Sequence, residues 1–103
     1  MSVVHLNKES FDKMIAEGTA MVDFWAKWCM PCQGLLPIIE ELGQELEGTV
    51  KVGKVEVDEN GDLAKQFRVM SIPTVIFFKD GKEVSRLVGA YPKEAYLEKL
   101  NKM

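Results

Sequence analysis

The sequence predicts an α/β fold: one central mixed sheet, parallel strands followed by a C-terminal antiparallel hairpin, with helices on both faces. Three observations predict it. Short runs rich in Val, Ile and Phe alternate with segments whose apolar residues recur at three- and four-residue steps. Met21-Val-Asp-Phe-Trp25 shows no clean apolar–polar alternation, as expected of a strand covered on both faces. Near the C-terminus, Asp80-Gly81 lies between two β-rich runs, the composition of a tight hairpin.

In chain order, Val3, Val4 and Leu6 suggest a short opening strand. Asn7 or Ser10 is placed to cap a helix that buries Phe11, Met14 and Ile15, with Gly18 ending it. The strand at 21–25 follows, then a long helix over about 29–47. Its apolar stripe is Leu35, Ile38, Ile39, Leu42 and Leu46, and Pro37 interrupts its hydrogen bonding by removing the bond to Gln33. A Val-rich strand over 50–58 leads to Asn60-Gly-Asp62, where Asp62 is expected to cap a short helix reaching Arg68. Strands at 74–78 and 83–88 form the hairpin. Pro92 starts a last helix with Tyr96, Leu97 and Leu100 on its buried side. The order is β-α-β-α-β-α-β-β-α.

A chain of 103 residues is expected to fold as a single domain over 1–103, burying roughly 65% of the surface its unfolded form exposes. No metal or disulfide is required as a staple. A net charge of −3 argues against nucleic acid and anionic membrane surfaces as partners. The apolar runs are too short for a membrane-spanning helix. Residues 1–8 lack a basic start, an apolar stretch and a cleavage site, so a cytoplasmic location is expected.

Chemistry concentrates at Cys29-Met30-Pro31-Cys32, between a buried strand and a long helix. Three residues apart at a helix start, the two sulfurs lie about one turn from each other on one face. They can form and release a disulfide with little backbone movement. Free amides and the helix dipole favour a thiolate at Cys29, which attacks a disulfide; the second thiol resolves the mixed disulfide. Half of a zinc site and two inert core cysteines are the competing readings. Zinc takes four ligands, and besides the cysteines this chain offers only His5, far away in sequence. Agreement of strand, motif and helix favours redox chemistry.

Phe24-Trp-Ala-Lys-Trp-Cys-Met-Pro-Cys32 resembles the active-site segment of the thioredoxin family. The likeness extends to Val55-Glu-Val-Asp58, Ile72-Pro-Thr74, Phe78-Lys-Asp-Gly81 and Val88-Gly89, and so to nearly the whole chain. It implies a thioredoxin fold and a dithiol–disulfide oxidoreductase that reduces protein disulfides, serving electron transport and cell redox homeostasis. It implies no bound cofactor beyond the redox-active Cys29–Cys32 pair. Reducing equivalents would come from NADPH through a thioredoxin reductase, and a monomer is expected. The chain departs from the usual motif at Met30, where the family has Gly, and at Gln33, where it has a basic residue. Met30 adds a soft apolar side chain beside the reactive sulfur, and Gln33 removes a charge that would favour its thiolate.

The resemblance also assigns supporting roles. Asp23, in mid-strand, would lie buried beneath Cys32 and take its proton, although a solvent-facing strand-end carboxylate is the plain alternative. Lys54 would either modulate Asp23 or simply reach solvent. Trp25 is expected in the core and Trp28 at the border of the site. A cis Ile72–Pro73 bond would face the cysteines and expose the Ile72 backbone to an extended substrate peptide. Trp28, Met30, Pro31, Ile72, Pro73 and Gly89 make up the expected substrate surface, with Ala90 beside Gly89. Met14, Met21 and Met70 read as core or loop packing, and Glu40, Glu41, Glu45 and Glu47 as a solvated helix face. An oxidising or isomerising enzyme, and a docking subunit in a larger assembly, are the alternative functions.

Overall fold

A computed structural model describes residues 3–103. Five strands and four helices alternate as β1 (Val3–His5), α1 (Lys8–Ile15), β2 (Thr19–Trp25), α2 (Met30–Glu45), β3 (Lys51–Glu56), α3 (Gly61–Gln66), β4 (Thr74–Lys79), β5 (Lys82–Val88) and α4 (Lys93–Asn101). The strands form one sheet in the order β1-β3-β2-β4-β5. β3 runs parallel to both β1 and β2, whereas β4 is antiparallel to β2 and to β5. This is the mixed sheet that the sequence predicts.

Local signals explain most boundaries. Asn7 caps α1: its side chain accepts from the Ser10 amide at 2.9 Å, and the Ser10 hydroxyl accepts from the Asn7 amide at 2.9 Å. Both candidate caps therefore act together, as a reciprocal box. Asp80 (φ 49°) and Gly81 (φ 88°) form the two-residue hairpin, both in the left-handed region that such a loop requires. Pro92 is the N-cap of α4, in extended conformation.

α3 departs from expectation. It begins at Gly61, so Asp62 lies within the first turn, Asn60 occupies the cap position without a side-chain cap bond, and Arg68 lies beyond the end with φ 53°. The short helix is anchored by one buried side chain, Leu63, more than by capping. The strand expected over 50–58 is also shorter, because the chain leaves the sheet after Glu56.

The sheet separates two cores. Alternation along β2 sends Ala20, Val22 and Phe24 to one side, where they meet Phe11 and Ile15 of α1 and Leu63 of α3. Phe11, Phe67 and Phe78 pack edge to face there, with ring centroids 5.3–5.5 Å apart. The chain comes closest at Gly53: an added Cβ would lie 2.6 Å from Leu6 Cδ1. Met21 points the other way, toward Leu35, Ile39 and Leu42 of α2 and Tyr96 of α4. Asp23 and Trp25, two and four residues on, share that second face.

Candidate active site

Cys29 is the N-cap of α2. The buried strand β2 ends at Trp25, the chain crosses a short loop, and the amide of Cys29 bonds the Ala26 carbonyl at 3.2 Å. The Cys29 sulfur in turn accepts from the Cys32 amide at 3.3 Å, meeting one of the free N–H groups of the helix start. Pro31 lies in the first turn, where its missing N–H costs no helical bond.

Cys29 and Cys32 are joined as a disulfide with Cα atoms 5.2 Å apart, within the usual span of such bonds. Cys32 is fully buried and Cys29 is 5% exposed. The outer sulfur is thus the one a partner reaches first. Trp25, Ala26, Leu36 and Ile72 pack around the pair.

A second loop meets the disulfide from across the fold. The Ile72–Pro73 peptide bond is cis, as the resemblance implies, and the Ile72 carbonyl oxygen lies 3.8 Å from the Cys29 sulfur. The Gly89 amide donates to the Pro73 carbonyl at 2.7 Å, which fixes the 89–90 segment against this loop. Trp28 is exposed and Met30 more so, while Pro73 is buried. Four of the expected surface residues, Cys-flanking Trp28 and Met30 together with Ile72 and Gly89, therefore line the approach to Cys29 or the loop beside it.

Asp23 is 1% exposed in the middle of β2, so the solvent-facing alternative is excluded. It lies on the sheet face that carries α2, the helix of the cysteines. Neither of its oxygens meets a protein donor. Loss of hydration disfavours the charged form and pushes its pKa from 3.8 up to about 7, with the Lys54 ammonium pulling in the opposite direction. Lys54 stands directly beside Asp23 in the β2–β3 register and is 8% exposed, so it does not simply reach solvent. Its Nζ pairs with Glu40 at 3.7 Å and sits 5.4 Å from the centre of the Trp25 ring.

Five contacts escape the sequence. Trp28 donates its indole N–H to Asp58 at 2.8 Å, which holds the exposed ring in place. Gln33 donates to the Lys27 carbonyl at 2.9 Å and ties the loop before Cys29 to the first turn of α2. Glu40 is not merely part of a solvated face, because it meets the buried Lys54; Glu41 and Glu45 pair with Lys93. A signal for the first was present, since Asp58 ends the Val-Glu-Val-Asp segment. Met70 corrects another expectation: it packs against little and is 90% exposed, just before the Ile72 loop.

Among the described residues, no three His, Cys, Asp or Glu side chains cluster as metal ligands, and no helix is long and apolar enough to cross a membrane.

Comparison with known proteins agrees with this geometry. The thioredoxin family model matches residues 2–102. Thioredoxin from Staphylococcus haemolyticus is 46% identical over 102 residues, covering 99% of this chain and 98% of that protein. Thioredoxin from Staphylococcus aureus is 45% identical over the same length, with the same coverage. Among solved structures, a mutant thioredoxin from Halobacterium salinarum superposes with a TM-score of 0.90 at 30% identity, covering 97% of this chain and 88% of that one. With a family match over nearly its whole length and a cysteine pair joined at the start of α2, the chain belongs to the thioredoxin family, as a thiol–disulfide oxidoreductase.

Proposed function

We propose that the chain works as a reductase of protein disulfides in the cytoplasm, as a monomer. The observation that carries this reading is the asymmetry of the pair. Cys29 caps the helix at the surface while Cys32 is sealed beneath it.

In the reduced protein, the helix N-terminus favours the Cys29 thiolate. That thiolate attacks one sulfur of a substrate disulfide, the substrate S–S bond breaks, and the displaced thiolate takes a proton from solvent. Cys32 then gives its proton to the Asp23 carboxylate and attacks the Cys29 sulfur. The mixed disulfide breaks, the second substrate sulfur leaves as a thiolate that takes a proton from solvent, and two electrons have passed to the substrate. With its pKa near 7, Asp23 is about half ionised at neutral pH, suited to accept and return a proton.

Trp28, Met30, Pro31, Ile72, Pro73 and Gly89 form the substrate surface in this reading. Its support is the exposure of Trp28 and Met30 beside Cys29 and the Ile72 carbonyl next to the same sulfur. An extended peptide would pair with the Ile72 backbone there. Lys54 modulates Asp23. The resulting disulfide is re-reduced by a thioredoxin reductase drawing on NADPH, which places the chain in electron transport and redox homeostasis.

Equilibration in glutathione or dithiothreitol buffers measures the potential of the Cys29–Cys32 couple. A value within or below the cytosolic range of roughly −220 to −320 mV is expected of a reductase. A value near or above roughly −180 mV would make it an isomerase or oxidant instead. Cys29→Ser should abolish disulfide turnover, and biological function retained without either cysteine would turn the assignment to a docking subunit.

A further inference from the structure

We propose that Glu40 is a positioning residue for the resolving step: from the outer side of α2 it holds the Lys54 ammonium over the Trp25 ring, leaving the Asp23 carboxyl without a donor. The proposal rests on Asp23 acting as the proton acceptor for Cys32.

The geometry is a competition for one cation. Asp23 and Lys54 are register partners on adjacent parallel strands, about 4.8 Å apart across the sheet, with side chains on the same face. A direct ion pair between them is the default for two buried opposite charges. It does not form. Lys54 Nζ is drawn instead to Glu40, 3.7 Å away, and both Asp23 oxygens are left without a protein partner. The ammonium also lies over the Trp25 ring, 5.4 Å from its centroid.

The other elements around Asp23 add one charge on this face, Glu56 of β3, which is 6% exposed and already accepts from the Lys27 and Glu59 amides. On its far side in the sheet stands Val75 of β4. From α4 comes the Tyr96 phenol, which is buried, accepts a hydrogen bond from the Tyr91 amide, and has its own pKa raised mainly by burial. On this same side of the sheet, the Cys29–Cys32 pair sits at the start of α2. Lys54 is thus the cation that sets Asp23, and Glu40 is the group that sets Lys54.

Glu40 also differs from its neighbours in accessibility. Its side chain is 43% exposed while the Lys54 side chain is 10% exposed. It therefore transmits a surface condition, such as ionic strength or an approaching charged partner, to a carboxyl that solvent does not reach.

The test is a titration of the Asp23 side-chain carboxyl carbon by NMR in the oxidised protein. Glu40→Gln removes a negative charge and frees the ammonium for Asp23. Both changes favour the ionised carboxyl, so the midpoint should fall by roughly one pH unit. Glu41→Gln, the same change of charge on the Lys93 pair, should shift it far less. With Lys54→Gln already in place, only the loss of the Glu40 charge remains, so Glu40→Gln should shift the midpoint far less than it does alone.

An unchanged midpoint in Glu40→Gln, or an equal shift in Glu41→Gln, would overturn the proposal. So would a full shift persisting in the Lys54→Gln background, since Glu40 would then act without Lys54. The pH midpoint of mixed-disulfide resolution should follow the Glu40→Gln titration. The underlying role of Asp23 is tested separately: Asp23→Asn resolving at the wild-type rate would remove Asp23 from the mechanism even if the titration shifts as expected.

Discussion

The two faces of the sheet are built from alternate residues of the same strands, yet they obey different rules. On the α1–α3 face, Val22 and Phe24 belong to an apolar cluster with Phe11, Phe67 and Phe78, and the buried Thr74 hydroxyl is satisfied by the Ser71 carbonyl at 2.6 Å. On the α2–α4 face, one residue away, Asp23 and Trp25 carry buried polar atoms that meet no protein partner. Lys54 and the cysteine pair lie on that face too. Both sides contribute apolar burial; the second also retains a costly carboxyl where thiol chemistry can use it. The difference teaches that Asp23 is held by its neighbours and not for their benefit.

The largest effect should come from breaking the apolar face. Phe11→Ala deletes the ring between Phe67 and Phe78, and at 0% exposure it should cost about 3–5 kcal/mol in chemical denaturation. The Asp23 titration midpoint should stay within a few tenths of a unit, because the sheet lies between them. A large shift would show the faces to be coupled.

Next comes the chemical face, with the opposite sign. A carboxyl whose pKa is raised by folding destabilises the fold only where it must ionise. The cost of Asp23 is absent below about pH 3.8, grows between 3.8 and about 7, and is complete above that. At about 1.4 kcal/mol per unit the full penalty is about 4 kcal/mol. Asp23→Ala, less the small void it leaves, should therefore stabilise the protein by about 2–4 kcal/mol at pH 8. Near pH 3.5 it should give no gain. Equal stabilisation at both values would mean that packing, and not charge, is what Asp23 costs.

The smallest effect lies where the apolar face is tightest. Gly53→Ala places a methyl group against Leu6 and Met14, whose flexible ends can shift, so a loss of about 1–2 kcal/mol is expected. A loss as large as that of Phe11→Ala would mean that the β3 backbone itself must move.

Much of this was legible beforehand. Element order, the Asn7 cap, the Asp80-Gly81 hairpin and the cysteine pair at a helix start are written in neighbouring residues, whose spacing reflects backbone geometry. Elsewhere the local signals are weak or misleading. Asp62 has the chemistry of a cap, but the six-residue α3 starts at Gly61, two residues before a helix capped by Asp62 would, with Asn60 in the cap position and Leu63 buried. Met70 looked like packing, yet its loop turns it outward. Glu40 looked solvated because its stripe on α2 is acidic, and no periodicity reveals that a buried lysine waits across a crossover.

By itself, the sequence determined the strands, the helices, the two-sided burial of β2 and the position of Cys29 at the start of α2, because these depend on residues within a turn or two of each other. Tertiary structure alone decided that Ile72 lies beside Cys29, that Asp58 holds Trp28, and that Lys54 turns to Glu40 and not to Asp23. Those contacts join residues 14 to 43 positions apart. Which of two carboxylates wins a shared ammonium depends on distances and desolvation that exist only once the sheet and α2 have packed.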